Sequence, residues 1–378
     1  MPKPLPILIE YFADLPDPRI ERTRAHLLID IIFISVCSVI AGAEGWDDIV
    51  LFAKSKQEWF EQRLELPNGI PCADTFRRVL SRLDPDAFEA CFRRWTQELH
   101  EVTKGEVIAL DGKTLRHSFD KACGHSAIHM VSAWATNSKI VLGQVKVDEK
   151  SNEIPAVPAL LALLDIKDCI ITADAMSCQK ATATQIIKQE ADYILAAKDN
   201  QPTLSKAIQA RFEYMDEHPF ERESYSSTVE TDAGHGRIET RQCDLITLGE
   251  NDLYWGDFQS EWSGLRSLAR VTSSRKTTEK TTHEVRYFIS SLVASAKKVL
   301  KAVRKHWGIE NSLHYVLDVS FDEDMCRIRK DNGAEIFSML RHIAINQLSR
   351  DKTCKRGIKA RIKLAGWDDN YMSQLFIN

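Results

Sequence analysis

Three carboxylates in this chain occupy positions from which they could do chemistry. Asp111 follows the apolar run 107–110, and Asp174 follows the run 169–173. Glu310 falls on the apolar face of a helix predicted from residue 295 to about residue 318. Carboxylate oxygens that converge and leave positions open for substrate suit Mg²⁺ or Mn²⁺. A pair of such ions can assist both attack and departure in phosphoryl transfer. The three residues therefore predict metal-dependent phosphodiester chemistry.

Two of these carboxylates also have a purely structural interpretation. Asp111, followed by Gly112, could do no more than open a turn. Glu310 on an apolar face needs a partner, because an ionised group buried without one costs several kcal/mol. That partner could be a metal ion, or Arg304 or Lys305 in an ion pair. If Glu310 is structural, the candidate third ligands are Asp318, Glu323 and Asp324.

The elements that position these residues alternate between extended and helical patterns. The first strand is predicted to end at Asp111, and residues 127–136 and 140–147 form a hairpin around Asn137-Ser138, which predicts an antiparallel meander. A strand ending at Asp174, a helix, a strand over 193–197 and another helix follow with short links, which requires parallel neighbours. We therefore expect an α/β fold with a mixed sheet and helices on both faces.

The regions outside this core differ in pattern. The first hundred residues predict helices over 27–40 and 46–63, and further helices after caps at Asp74-Thr75 and Asp86. Residues from about 220 to 290 alternate like strands and predict a β-rich insertion. The predicted organisation is a helical N-terminal domain, a catalytic domain that contains the insertion, and a basic C-terminal tail. Their bounds are 1–103, 104–350 and 351–378.

Clusters of cations mark surfaces that could meet phosphates. Residues 350–363 hold seven basic residues and one acidic residue, and the helix predicted from residue 295 begins with basic residues and no acid. The glycines on either side of His235, followed by Arg237, would bring backbone close to a phosphate or base edge. Each cluster could also be a solvated surface. The candidates in the first hundred residues are Arg77, Arg78, Arg82, Arg93 and Arg94, and those of the later helix are Lys297, Lys298, Lys301, Arg304 and Lys305.

Composition excludes several classes of protein. The net charge of -4 gives no global attraction to nucleic acid, so any such partner must meet local basic surface. Nine cysteines include no Cys-x-x-Cys pair, which argues against zinc modules and favours a reducing compartment. The one membrane-like run, 27–43, contains Asp30 and two serines and predicts a buried helix. With no secretion signal at the N-terminus, we expect a cytoplasmic protein without a membrane partner.

Several short motifs spread over nearly the whole chain carry a family resemblance. They are Leu15-Pro16-Asp17-Pro18-Arg19, Leu66-Pro67-Asn68-Gly69-Ile70-Pro71, Ala109-Leu110-Asp111-Gly112-Lys113, Thr172-Ala173-Asp174-Ala175-Met176, Lys198-Asp199-Asn200-Gln201, Gly234-His235-Gly236-Arg237-Ile238-Glu239 and His306-Trp307-Gly308-Ile309-Glu310-Asn311. The chain resembles the DDE transposases of bacterial insertion sequences, and within them the H-repeat-associated proteins found with Rhs elements.

This resemblance implies a fold, an activity and partners. The catalytic domain would be RNase H-like, with Asp111, Asp174 and Glu310 as its acidic triad and two Mg²⁺ or Mn²⁺ ions as cofactors, and the N-terminal region is similar to the unit that accompanies this domain. The implied activity is a DNA transposase that binds element ends, cleaves a strand and transfers it to target DNA, acting as a homodimer and nucleoid-associated when bound. The alternatives are a metal-dependent nuclease without joining activity and an inactive DNA-binding relic.

One motif departs from the family pattern. The wider superfamily often shows Tyr-x2-Arg-x3-Glu-x6-Lys around its glutamate, whereas Val303, His306 and Leu317 occupy the matching positions here. The residues that hold the phosphates of the element end are therefore open among Arg304, Lys305 and His306. The full set of candidate DNA contacts is Lys113, Lys198, His235, Arg237, Lys301, Arg304, Lys305 and His306.

Overall fold

The chain forms two units, each built from segments that are distant in sequence. A computed structural model describes residues 7–99, 104–119, 126–147, 152–218, 224–234, 236–250, 252 and 254–377. Unit 1 comprises Met1–Glu101, Gly112–Lys150 and Glu310–Asn378. Unit 2 comprises Val102–Asp111 and Ser151–Ile309.

Helices and strands alternate along the chain much as the periodicity predicts. The helices are α1 (Ile7–Glu10), α2 (Leu28–Ile40), α3 (Trp46–Ser55), α4 (Gln57–Glu61), α5 (Ala73–Leu80), α6 (Pro85–Leu99), α7 (Glu153–Ala162), α8 (Lys180–Lys188), α9 (Pro202–Glu217), α10 (Gly256–Glu261), α11 (Ala296–His306), α12 (Tyr315–Ser320), α13 (Gly333–Arg350), α14 (Ile358–Trp367) and α15 (Asp369–Gln374). The strands are β1 (Val107–Thr114), β2 (His129–Ala135), β3 (Ile140–Lys146), β4 (Ile170–Ala173), β5 (Asp192–Ala197), β6 (Tyr225–Gly234), β7 (Arg237–Thr247), β8 (Ser267–Lys276) and β9 (Thr281–Ser290).

Unit 1 is organised around α2 and α13. Both helices are buried along nearly their whole length and pack against each other. Helix α2 is apolar on nearly every side, as expected for a buried helix, whereas α13 also buries polar residues such as Arg341 and Asn346. The predicted hairpin of β2 and β3 is confirmed as antiparallel. Asn346 of the buried helix α13 ties this hairpin to the core. Its side chain donates a hydrogen bond to the Val141 carbonyl at 2.9 Å and accepts one from the Val141 N–H at 2.8 Å.

Unit 2 carries a mixed sheet, as predicted. Its strand order is β1-β4-β5-β9-β8-β7-β6, in which β1, β4 and β5 are parallel and the following neighbours are antiparallel. The strands of the predicted insertion therefore extend the same sheet from β5 outward. Helix α11 covers one face, where Val299 and Leu300 join an apolar cluster with Val107, Ile170 and Ile194.

Several predicted boundaries were wrong. The strand predicted to end at Asp111 continues to Thr114, and the backbone still pairs just beyond it, where the Leu115 N–H donates to the Ile128 carbonyl at 2.8 Å. The helix predicted over 46–63 divides into α3 and α4. Cys72, and not Asp74-Thr75, is the N-cap of α5.

The C-terminal segment predicted as a basic tail contains two helices. Ile362 and Ala365 of α14 and Tyr371 and Met372 of α15 are buried in unit 1. Within the ranges that the structure describes, no helix combines the length and apolar character needed to cross a membrane. The run 27–43 forms the buried helix α2, as predicted.

Candidate active site at the ends of two parallel strands

Asp111 and Asp174 occupy matching positions on neighbouring parallel strands. The register pairs Ala109 with Thr172 and Leu110 with Ala173, so the next residue on each chain is an aspartate. Adjacent strands lie about 4.8 Å apart, which places both residues at one edge of the sheet. Both are half-buried. The structure thus brings together two of the three carboxylates that the sequence singled out.

The two aspartates also share a face of the sheet. Side chains alternate between faces along a strand, so residues four apart point the same way. Val107 and Ile170, four residues before Asp111 and Asp174, pack in the apolar cluster that includes α11. The carboxylates are therefore expected on the face that α11 covers.

His306, the last residue of α11, lies beside this edge. Its Nδ1 is 3.1 Å from the Thr172 hydroxyl, and Thr172 is two residues before Asp174. Burial lowers the pKa of His306 from its ordinary value to about 4, although the nearby Asp174 acts in the opposite direction. The imidazole is therefore neutral at pH 7 in this conformation. It can donate or accept a hydrogen bond, but it has no positive charge that would attract a phosphate.

The loop after Asp174 is braced by the loop after β5. The Ser177 N–H donates to the Asp174 carboxylate at 3.1 Å. Asn200 donates to the Ala175 carbonyl, and Gln201 Nε2 donates to the Cys178 carbonyl at 3.2 Å. These contacts join two of the motifs quoted from the sequence, and they place exposed Lys198 at the start of the bracing loop.

The chemistry of this pair fits a hard divalent cation. Both donors are oxygen ligands at one sheet edge, and no Lys or Arg of the described residues forms an ion pair with Asp174 within 4 Å. A complete site is not assembled, since the described residues contain no group of three His, Cys, Asp or Glu that could hold a metal ion. Asp111 and Asp174 belong to unit 2, whereas Glu310 is the first residue of the third segment of unit 1.

The prediction that Glu310 lies on the apolar face of a continuous helix was wrong. Helix α11 ends at His306, and Glu310–His314 forms a π-helical turn before α12. A π turn is wider than an α turn, so the 3.6-residue spacing no longer applies. Ile309 and Leu313 are buried there while Glu310 is exposed, and the cost of burying its charge does not arise.

Lys113 lies in a cluster of acids in unit 1. Its ammonium is 2.5 Å from Asp318, 2.8 Å from Glu323 and 3.4 Å from Asp324. Burial alone would raise the pKa of Glu323, but the charges of Lys113 and Arg341 hold it below its ordinary value. The three acids considered as alternative metal ligands therefore surround an ammonium group here. That Lys113 contacts DNA remains a prediction.

The other predicted DNA contacts lie in unit 2. Arg304 forms ion pairs with Glu230 at 2.5 Å and Asp232 at 2.6 Å on β6, and Arg237 pairs with Glu239 at 2.8 Å. Lys301 is exposed and Lys305 is half-buried, and burial lowers the pKa of Lys305. His235 lies outside the described residues. A role for these residues in DNA binding stays a prediction.

Sequence reasoning missed the residues that support the aspartates. Thr172 meets His306, and Asn200 and Gln201 hold the loop that follows Asp174. A local signal existed for Thr172, because alternation places it on the face of Asp174. No local signal ties Asn200 to Ala175, twenty-five residues earlier.

Comparisons with known proteins point to one family. A family model described as "Transposase DDE domain" matches residues 103–347, and one described as "DDE_Tnp_1-associated" matches residues 9–96. The chain is 43% identical over 372 residues to "H repeat-associated putative transposase YhhI" of Escherichia coli (strain K12), covering 97% of each chain. It is also 43% identical over 371 residues to "Putative transposase YncI" of Escherichia coli O157:H7, covering 97% of this chain and 94% of that one.

One solved structure is similar at a lower level. The piggyBac transposase synaptic complex with hairpin DNA aligns over 97% of this chain and 76% of that chain, with 12% sequence identity and a TM-score of 0.42. A TM-score this low does not establish a shared fold.

Proposed function

Because this chain belongs to the DDE transposase family, we propose that it is a DNA transposase that binds the ends of an insertion sequence, cleaves a strand and transfers the freed end to target DNA. The observation that carries the proposal is the register of β1 and β4, which brings Asp111 and Asp174 to one sheet edge. Two carboxylates directly after the last paired residues of β1 and β4 supply the oxygen ligands that metal-dependent phosphodiester chemistry uses.

An RNase H-like catalytic domain is part of this proposal. The parallel strands β1, β4 and β5 with antiparallel strands beyond them support it. The position of the two acids where the pairing of β1 with β4 ends also supports it. The third member of the triad would be Glu310. Its side chain is exposed.

The residues of the site have distinct tasks in this proposal. Asp111, Asp174 and Glu310 would hold two Mg²⁺ or Mn²⁺ ions, which when bound supply Lewis acidity that makes water or a 3′-hydroxyl a better nucleophile at phosphorus. The contact of Thr172 with His306 fixes the end of α11 beside Asp174. Asn200 and Gln201 keep the loop after Asp174 in place. Lys198 is exposed at the start of the loop that contains Asn200 and Gln201, and in this proposal it contacts a phosphate of the DNA beside Asp174.

The partners follow from the reaction. The substrates are double-stranded element ends and target DNA, and a homodimer would hold two ends together in a synaptic complex. The protein would work in the cytoplasm, at the nucleoid.

A cleavage and strand-transfer assay on labelled duplexes that carry the element end tests the proposal. We expect the wild-type chain to cut and join in Mg²⁺ or Mn²⁺. Asp111→Asn and Asp174→Asn keep side-chain size but remove a charged ligand, so both activities should fall by more than about 100-fold, beyond what loss of an outer-shell partner costs. Duplex binding should be retained.

Asp257→Asn is the matched control, because Asp257 is an exposed aspartate of unit 2 on α10. It should cut and join like the wild type. Cleavage without joining would identify a nuclease, and duplex binding without cleavage would identify an inactive relic. Undiminished cleavage by Asp174→Asn would contradict the assigned site.

A further inference from the structure

A cleft of about 490 Å³ in unit 1 is lined by cations. Its walls come from the start of α3, the end of α5 and the segment 327–330 that leads to α13. Four of its lining side chains are basic and none is acidic. The residues that matter are Trp46, Arg77, Ser81, Arg327, Arg329 and Lys330.

A buried hydroxyl without a partner lies in this cleft. Ser81 is 2% exposed, and its Oγ forms no hydrogen bond with the described residues. Leaving a buried polar group unpaired is unfavourable, and such groups in native proteins call for an explanation such as a missing ligand. The Ser81 hydroxyl can donate one hydrogen bond to an acceptor that enters the cleft.

The close approach of α13 creates this arrangement. A Cβ at Gly333 would stand 2.7 Å from Ser81 Oγ and 3.0 Å from Ile328, so any other residue here would have to displace these side chains. The Asn332 N–H donates to the Ser81 carbonyl at 3.0 Å, which joins the start of α13 to the end of α5. The start of α13 carries a partial positive charge and the end of α5 a partial negative charge, so the two largely cancel. The electrostatic potential in the cleft is therefore set mainly by the basic side chains.

Positive charge is in excess around the cleft. Arg327 and Lys330 are exposed and have no carboxylate within 4 Å among the residues placed by the structure. Arg329 donates to the His117 carbonyl at 2.8 Å, which leaves its charge uncompensated. Asp74 accepts a hydrogen bond from Arg77 and lies near Arg78 and Lys330, and these cations lower its pKa. A site with this charge and one buried donor suits a phosphate group.

We propose that this cleft binds a phosphate of the DNA backbone, with Arg327 and Lys330 as charged contacts and Ser81 as the buried donor. The DNA part of this inference rests on the proposed function. Trp46, whose ring meets Phe337 edge-on at 5.3 Å between centroids, forms an apolar wall that a sugar or base can contact.

Duplex binding as a function of salt concentration tests the cleft. The double substitution Arg327→Gln and Lys330→Gln should weaken duplex binding at low salt. It should also reduce the slope of log K against log salt by about 1, because one phosphate contact is lost. Arg22→Gln with Lys54→Gln removes the same charges from exposed positions in unit 1 and should change the slope less. Ser81→Ala should weaken binding without changing the slope.

A second experiment distinguishes a DNA phosphate from free phosphate as the ligand of the cleft. It also distinguishes failure of the cleft assignment from failure of the proposed function. Inorganic phosphate should raise the melting temperature of the wild type more than that of the Arg327/Lys330 variant. Equal duplex affinity and slope in the wild type and this variant would overturn the cleft assignment, while Asp174-dependent cleavage would still support the proposed function. If phosphate stabilises the wild type but no duplex binds, the cleft takes a free anion, and both the DNA assignment and the proposed function fail.

Discussion

Asp30 places a carboxyl group inside the core of unit 1. It is 1% exposed on α2, and the Leu66 N–H donates to it at 3.1 Å. Burial raises the pKa of Asp30 to about 6. Between its unfolded pKa near 4 and this value the folded chain keeps a proton that the unfolded chain has released. Stability therefore falls as the pH rises through that window, by up to about 3 kcal/mol.

Asp30→Asn should remove this dependence, since an amide oxygen can still accept the Leu66 hydrogen bond but cannot ionise. We expect the variant to be more stable than the wild type at pH 7, with an advantage that grows between pH 4 and pH 6 and then levels off. Chemical denaturation at each pH measures it. Asp47→Asn, at an exposed site on α3, is the control. A constant or reversed difference for Asp30→Asn would contradict the argument.

Lys113 joins the end of β1 to the segment that contains α12. Its side chain is 11% exposed and that of Glu323 is 1% exposed, so this pair is shielded from solvent. Removing one member of a buried pair leaves an uncompensated charge, which costs about 3–5 kcal/mol. Lys113→Met should therefore lower the melting temperature by several degrees.

Lys198→Met provides the comparison, because Lys198 is exposed at the end of β5. This change should leave the melting temperature nearly unaltered. If Lys113→Met melts like the wild type but binds duplex less tightly, then Lys113 serves DNA binding and the acid cluster does not stabilise the fold. Differential scanning calorimetry beside duplex titration distinguishes the two roles.

The chain as a whole has a net charge of -4, so DNA binding must depend on separated basic surfaces. On α11, Lys297, Lys298 and Lys301 are exposed, whereas Arg304 is paired with two acids of β6. Replacing the three lysines by glutamine should reduce the salt slope of duplex binding by up to about 3, since each lost phosphate contact contributes about 0.9.

Arg304→Gln lies on the same helix and should change the slope less, because its charge already faces Glu230 and Asp232. Its effect should be a looser contact between α11 and β6, visible as faster amide exchange in β6. Equal slopes for the wild type and the triple variant would show that α11 does not meet DNA.

Local pattern was sufficient to predict that Asp111 and Asp174 each follow a buried extended run. The short strand-helix-strand link from β4 to β5 also predicted that these two strands are parallel neighbours. Because β2, β3 and α7 lie between β1 and β4 in the sequence, only the structure shows that β1 pairs with β4. The buried helix α2 followed from an apolar composition on all sides. These predictions depend on backbone geometry over a few residues, which side-chain periodicity encodes directly.

Tertiary packing alone decided the surroundings of these residues. The π turn exposes Glu310, and no 3.6-residue pattern reports a local change of helix type. Lys113 meets Glu323 two hundred and ten residues later, and the cationic cleft joins Ser81 to Arg327 across a similar separation. Such contacts depend on which apolar faces pack together and how closely, as at Gly333. That choice minimises the free energy of the whole chain and leaves no trace in the spacing of any single segment.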